Sequence, residues 1–138
     1  MMNTTSRLYE VLYVSTLAPD APLSVVAAIA RKARPANHEK EITGLLIFDG
    51  MRFCQQLEGD QSGVMALLER IRRDARHVNV EVLHHGPLAK RRFGRFSLGY
   101  TSSDSDEALA QLERLERLDG QVAVDAFVAL LPGVDWDN

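Results

Sequence analysis

Hydrophobic and polar positions divide the chain into stretches of period two and stretches of period close to 3.6, and the changes of period mark its elements. In RLYEVLYVS, residues 7 to 15, Tyr9, Val11, Tyr13 and Ser15 share one face while Leu8, Leu12 and Val14 share the other. Both faces carry apolar residues, which predicts a central strand covered on two sides, since a sheet with one wet face alternates more cleanly. The turn APDAP follows, and then Leu23, Val26, Ala27 and Ala30 stand at helical spacing. Pro35 is expected to end that helix, because it lacks a donor and restricts Arg34 before it. ITGLLIFDG, 42 to 50, and MRFCQQLEG, 51 to 59, read as two strands joined at Asp49-Gly50, a strong hairpin signal. In the second of these, Phe53, Gln55 and Leu57 fall on one face and Cys54 and Gln56 on the other.

After Gly59-Asp60, the residues Val64, Leu67, Leu68 and Ile71 describe one face of an amphipathic helix. NVEVLHHG and RFSLGYTS, 79 to 86 and 95 to 102, supply two more strands around the linker PLAKRRFG. The order βαββαββ predicts an α+β fold, a ferredoxin-like sheet with two helices on one face. Further on, Asp104 or Ser105 can cap a helix carrying Leu109, Leu112, Leu115 and Leu118. Asp119-Gly120 breaks it, and Val122 to Leu131 forms a second apolar-faced helix before Pro132-Gly133. The two-sided first strand needs a cover opposite the first two helices, so this C-terminal helix pair is placed on the other face. At 138 residues the chain has the size of one domain, with a core over residues 1–101 and a helical cap over 102–138.

Hydrophobic residues at 46% and charged residues at 25% give the usual balance of a globular chain able to bury a core. Sixteen Lys and Arg against nineteen Asp and Glu leave a net charge of −3, which disfavours a general role in coating nucleic acid or an anionic membrane. The single cysteine, Cys54, cannot form an internal disulfide, and no apolar run approaches the ~18–20 residues of a membrane span. The opening MMNTTSRLYE lacks the apolar stretch of a signal peptide, so the expected compartment is the reducing cytoplasm.

Candidate chemistry narrows quickly. His38, His77, His84, His85 and Cys54 lack chelating intervals, and His84 and His85 point to opposite faces of their strand, so no metal site is expected. Cys54 sits mid-strand, where a buried inert thiol is commoner than a nucleophile. An acylphosphatase would want a glycine-rich anion loop where TLAPDAP stands, and an RNA-recognition module would want exposed aromatics and a basic surface. The unusual feature is polarity within apolar strands: Tyr13 and Gln55 are both expected on the helix-covered face, with Asn37 just past the helix that Pro35 ends. Singly, each has a plain structural explanation, as a half-buried Tyr, an edge-strand Gln and a C-cap Asn. Together they suggest partners, because leaving a buried Tyr or Gln unpaired costs ~1–3 kcal/mol. A bound heterocycle with carbonyl and ring-nitrogen acceptors would satisfy them.

LYVS with Tyr13, AN followed by ITGLLIF, FCQQLEG with Gln55, and RIRRDARHVNVEVL followed by KRRF resemble, in order and spacing over about residues 6 to 101, the BLUF domain, the blue-light sensor that uses FAD. The resemblance implies a flavoprotein whose core holds FAD non-covalently between the two helices and the sheet. It implies that Tyr13 donates an electron and proton to the excited flavin and that the Gln55 amide rearranges between Tyr13 and the flavin. Asn37 would hold the pyrimidine edge, with Arg70 and Asp74, adjacent at i, i+4, fixing it from the other side. Ile29, Leu46, Phe53 and Ile71 would be apolar walls, and His77 would lie toward the ribityl phosphate end. For Arg70 and Asp74 a surface ion pair is the plain alternative.

The chain departs from the family where a Trp and a Met are usual on the last strand; here Phe96 and Leu98 stand, and Ala36 replaces a polar neighbour of Asn37. Phe96 and Leu98 are expected to share the flavin-side face, with Ser97 and Gly99 facing the C-terminal helices, and to transmit the signal to those helices. The implied output is non-enzymatic: a light-dependent change of contact with an unidentified downstream protein, with no direct nucleic-acid or membrane partner and with homo-oligomerisation left open. The alternative is a BLUF-like protein-interaction module that has lost flavin photochemistry.

Overall fold

The structure, a computed structural model, describes residues 8–102 and 106–130. Its elements run β1 (Leu8–Leu17), α1 (Val25–Glu39), β2 (Thr43–Phe48), β3 (Arg52–Asp60), α2 (Gln61–Arg73), β4 (His77–Pro87), β5 (Gly99–Ser102), α3 (Asp106–Leu115) and α4 (Gly120–Ala129). One five-stranded sheet has the order β4-β1-β3-β2-β5, the ferredoxin-like arrangement with a short strand added at the β2 edge. All neighbours are antiparallel except β2 and β5, which pair in parallel. As its two apolar faces require, β1 is central, with Val11 and Tyr13 packed under α2 and Leu12 and Val14 packed toward the C-terminal helices. The β2–β3 hairpin turns where Gly50 takes φ +99°, and Asp49 Oδ1 accepts the Met51 and Arg52 amides at 2.9 and 2.6 Å.

The front face carries α1 over Leu46, Phe48 and Phe53, and α2 over Val11, Tyr13 and Leu57. On the back face Leu112 and Leu115 of α3 and Ala123, Val124 and Phe127 of α4 close over Leu12, Val14, Leu45 and Cys54. Each large side chain buried there contributes about 1.5–3 kcal/mol. The C-terminal pair therefore supplies the cover that β1 demands. The proposed caps Asp104 and Ser105, the Leu109 side chain and the Pro132-Gly133 stop lie outside what is described.

Three local expectations are corrected. Pro35 does not end the first helix: α1 continues to Glu39, and Leu23 precedes it, largely exposed. A proline inside a helix removes one backbone bond and costs about 3 kcal/mol. The last turn is held from outside instead, by Arg34 Nε donating to the Leu98 carbonyl and Asn37 Nδ2 donating to the Ser97 carbonyl, both at 2.9 Å. Next, β5 begins only at Gly99, so residues 95 to 98 lack strand alternation. Phe96 and Leu98 consequently part company: Phe96 packs into the back-face core, whereas Leu98 is buried on the front with Leu46 and Phe53. Finally, α2 stops at Arg73 and Asp74 leaves the helix in an extended conformation, which breaks the i, i+4 relation with Arg70.

Candidate functional site

Between α1 and α2, above β2 and β3, lies a cavity of about 380 Å³. Ile29, Lys32, Ala33, Ala36 and Asn37 reach it from α1, at the spacing of one helix face; Leu67, Arg70 and Ile71 reach it from α2; Leu46, Gln55 and Leu98 form the sheet side. Asp74, Arg76 and His77 complete one end. Walls of Ile, Leu and Ala around a few amide and charged groups are the usual make-up of a small-ligand site.

Register creates its floor. Tyr13 and Gln55 are directly opposed across β1 and β3, on the face that the helices cover. The Tyr13 hydroxyl donates to Gln55 Oε1. Tyr13 is fully buried behind Gln55, and burial, with smaller contributions from Cys54 and Asp74, pushes its phenol far above the ordinary range, so the proton stays on oxygen. Gln55 Nε2 has no partner among the described residues. Asn37, 3% exposed, spends Nδ2 on the Ser97 carbonyl and leaves Oδ1 without a described partner. The cavity is thus edged by one amide donor and one amide acceptor, each otherwise left unsatisfied at a cost of ~1–3 kcal/mol.

At the far end Arg76 grips Asp74 through Nε to Oδ1 at 2.9 Å and Nη2 to Oδ2 at 2.6 Å, and the Arg76 backbone amide adds a third bond. These hydrogen bonds hold the Asp74 carboxyl at about 2, well below the usual carboxylate. The expected partner Arg70 makes no ion pair among the described residues, although it does line the cavity. His77 is buried, its Nδ1 3.0 Å from Ser15 Oγ and its ring 4.5 Å from that of Phe53; burial lowers its pKa and keeps it neutral. Phe53 stands behind His77 and does not line the cavity. Cys54, buried on the back face, has its thiol pushed up by burial, as an inert core residue should.

Of the residues singled out from the sequence, Ile29, Asn37, Leu46, Gln55, Arg70, Ile71, Asp74 and His77 meet around one cavity, with Tyr13 and Phe53 directly behind it. Lys32, Ala33 and Arg76 also line it without having stood out in the sequence, and so does Leu67, expected only as part of an amphipathic face. The α1 residues among them follow Ile29 at helical spacing, a signal cut short by ending the helix at Pro35, and Arg76 lies inside the RDARH run. Among the described residues no group of three or more His, Cys, Asp or Glu could hold a metal ion, and no helix is long and apolar enough to cross a membrane.

A ferredoxin-like α+β domain with a ligand cleft between its helices, floored by a Tyr–Gln pair, is the class that fold and site define. The chain belongs to the BLUF family, sensors of blue-light using FAD, whose model matches residues 8–99. It is similar to photoactivated adenylate cyclase subunit alpha of Euglena gracilis, at 32% identity over 130 residues, which are 94% of this chain and 12% of that protein. It is also similar to the blue light- and temperature-regulated antirepressor BluF of Escherichia coli (strain K12), at 32% identity over 88 residues, 64% of this chain and 22% of the antirepressor. This chain thus spans only a small part of those curated relatives. The solved dark-state structure of BlrB, a BLUF protein, superposes with a TM-score of 0.73 at 30% identity, covering 93% of this chain and 100% of that one. FAD is the family's chromophore, and the open amide donor and acceptor between apolar walls fit the polar edge and flat body of a flavin ring.

Proposed function

We propose that the chain is a non-enzymatic blue-light photoreceptor of the cytoplasm, with a core over 1–101 that holds FAD non-covalently and a cap over 102–138 that passes the signal to a downstream protein. The observation that carries this is the buried Tyr13–Gln55 hydrogen bond at the floor of the cavity, with Gln55 Nε2 left without a partner among the described residues. Bound FAD supplies the blue absorption band and an excited state that takes up an electron. Tyr13 is the donor: its phenol is buried, protonated and, among the described residues, hydrogen-bonded only toward Gln55. Gln55 is the switch, because a half-turn of its amide exchanges Oε1 for Nε2, so that the edge facing the cavity changes from donor to acceptor. Asn37 would hold the polar edge through Oδ1, Ile29, Leu46 and Ile71 would supply apolar contact to the ring, and Arg70, the Asp74–Arg76 pair and His77 would bound the remaining lining. Phe53 supports His77 from behind. Leu98 meets the cavity while Phe96 meets the back-face core, so the segment joining them connects the switch to α3 and α4.

Supplying FAD to the purified protein and recording its absorption in darkness, under blue light and after return to darkness tests the proposal. A visible flavin band with a small reversible red shift is the expected result. A sample that stays colourless with FAD in excess overturns it in favour of a BLUF-like interaction module without photochemistry.

A further inference from the structure

Directly behind the switch, on the other side of the sheet, is a buried ionic cluster that plays no part in holding the flavin. Gln56 follows Gln55 in β3 and points to the back face, where its Nε2 donates to Glu58 Oε1 at 3.0 Å and to Glu10 Oε1 at 3.3 Å. Both carboxylates are buried, Glu58 at 0% exposure and Glu10 at 1%. Such groups persist only when paired and hydrogen-bonded, and here most of the pairing comes from one loop, with His84 Nε2 of β4 3.4 Å from Glu10 Oε2. The Arg92 guanidinium forks onto Glu10 at 2.8 and 3.1 Å. Glu58 takes the backbone amides of Arg92 and Phe93 at 2.9 and 3.0 Å and the Thr43 hydroxyl at 2.7 Å.

That loop runs straight into the front site. Phe96 presents its carbonyl to the Gly44 amide at 3.0 Å, Ser97 presents its carbonyl to Asn37 Nδ2, and Leu98 presents its side chain to the cavity. The Ser97 carbonyl orients the Asn37 amide, since it takes Nδ2 and so determines that Oδ1 is the atom left for the ligand. Only Gly94 to Phe96 separate the bonds to Glu58 from the bond to Asn37, a span too short to absorb a displacement at one end without moving the other.

We propose that Glu58, with Glu10 and Arg92, is a positioning latch for the photocycle: from the back of the sheet it fixes residues 92–98, and through the Ser97 carbonyl it fixes the Asn37 amide and hence the dark-state contact that the lit state must regain. The proposal rests on the flavin site described above. Glu58 is a positioning residue and touches neither cavity nor ligand.

The test uses the full chain loaded with FAD. Glu58→Gln keeps the side-chain volume but removes one acceptor from the loop amides. It should remain yellow and keep its red shift, while its dark recovery changes by about fivefold or more, the scale on which one charge-assisted hydrogen bond acts. The infrared carbonyl bands of the dark-state flavin should be displaced, because the Asn37 contact has moved. Arg92→Gln, which leaves the β3 carboxylate in place, should change recovery in the same direction, with Arg92→Lys intermediate, and it carries the test if Glu58→Gln does not fold. Loaded, red-shifting variants with wild-type recovery and wild-type carbonyl bands, even with a lowered melting temperature, would show that the cluster merely stabilises the fold and overturn the latch. A wild-type chain that binds no flavin would fail at the site itself, and the latch would fall with it.

Discussion

Gln55 and Gln56 are the same residue at successive positions of one strand, and they live in opposite worlds. Gln55 faces the front, with one amide atom on Tyr13 and the other left to a cavity. Gln56 faces the back, where its Nε2 is divided between two buried carboxylates and its surroundings are filled by core. The difference lies in what surrounds the open atom. Gln56 Oε1 also lacks a hydrogen-bond partner among the described residues, but its Nε2 is held by two carboxylates and the side chain is buried, whereas the open donor of Gln55 borders a cavity in which a ligand can choose between two arrangements of the amide. The sheet keeps a movable amide on one face by making the other face rigid.

Substitution at each glutamine gives the sharpest contrast. Gln55→Leu, and likewise Tyr13→Phe, should leave a yellow protein and abolish the reversible red shift entirely, as difference spectroscopy will show. Gln56→Leu should preserve the shift but cost about 1–3 kcal/mol in denaturant unfolding, because Glu10 and Glu58 lose a donor they share; loss of the shift in that variant would erase the distinction between the faces. Between these extremes, Phe127→Ala opens a cavity in the back-face core and should cost ~3–5 kcal/mol without moving the dark flavin band. Leu98→Met nearly conserves volume, so it should cost under ~1.5 kcal/mol while altering dark-recovery kinetics, since Leu98 lines the cavity.

The smallest effect is acid-dependent. Asp74 has its pKa lowered to about 2 in the folded state, chiefly by hydrogen bonds from Arg76. Its ionised form therefore stabilises the fold above the unfolded carboxyl pKa near 4, and that contribution is lost as pH falls through the folded value. Arg76→Ala should flatten the stability profile between about pH 4 and pH 2, measured by thermal unfolding at stepped pH. An unchanged slope would mean that the end of the cavity is not held by this pair.

Much of this was legible from alternation alone. The apolar faces of β1 announced a central, doubly covered strand, Asp49-Gly50 announced the hairpin, and period two placed Tyr13 and Gln55 together and Cys54 and Gln56 behind. What escaped was set by contacts from far along the chain. Pro35 is tolerated because Asn37 and Arg34 bond to carbonyls 60 and 64 residues away, which no local propensity can foresee. Arg70 and Asp74 look like a helical pair only as long as the helix is assumed to reach Asp74; the neighbouring Arg76 makes the better partner once the chain turns extended. Phe96 and Leu98 look like same-face neighbours only if they lie in a strand, and their carbonyls are instead taken by Gly44 and Arg34. The Tyr–Gln pair identified a site, and its flavin required the family resemblance.

The parallel pairing of β5 has a further consequence. β5 has four residues, one neighbouring strand and an edge position, and it is the covalent tether of the helices that close the back face. The family match stops at Gly99, where this strand begins. Opening free energy in a folded domain is lowest where few backbone bonds and little buried surface hold a segment, so β5 is the weakest seam of the sheet, while the helices beyond it keep their own apolar hold on the back face. That seam lies where the segment leaving the cavity passes on toward the back-face helices.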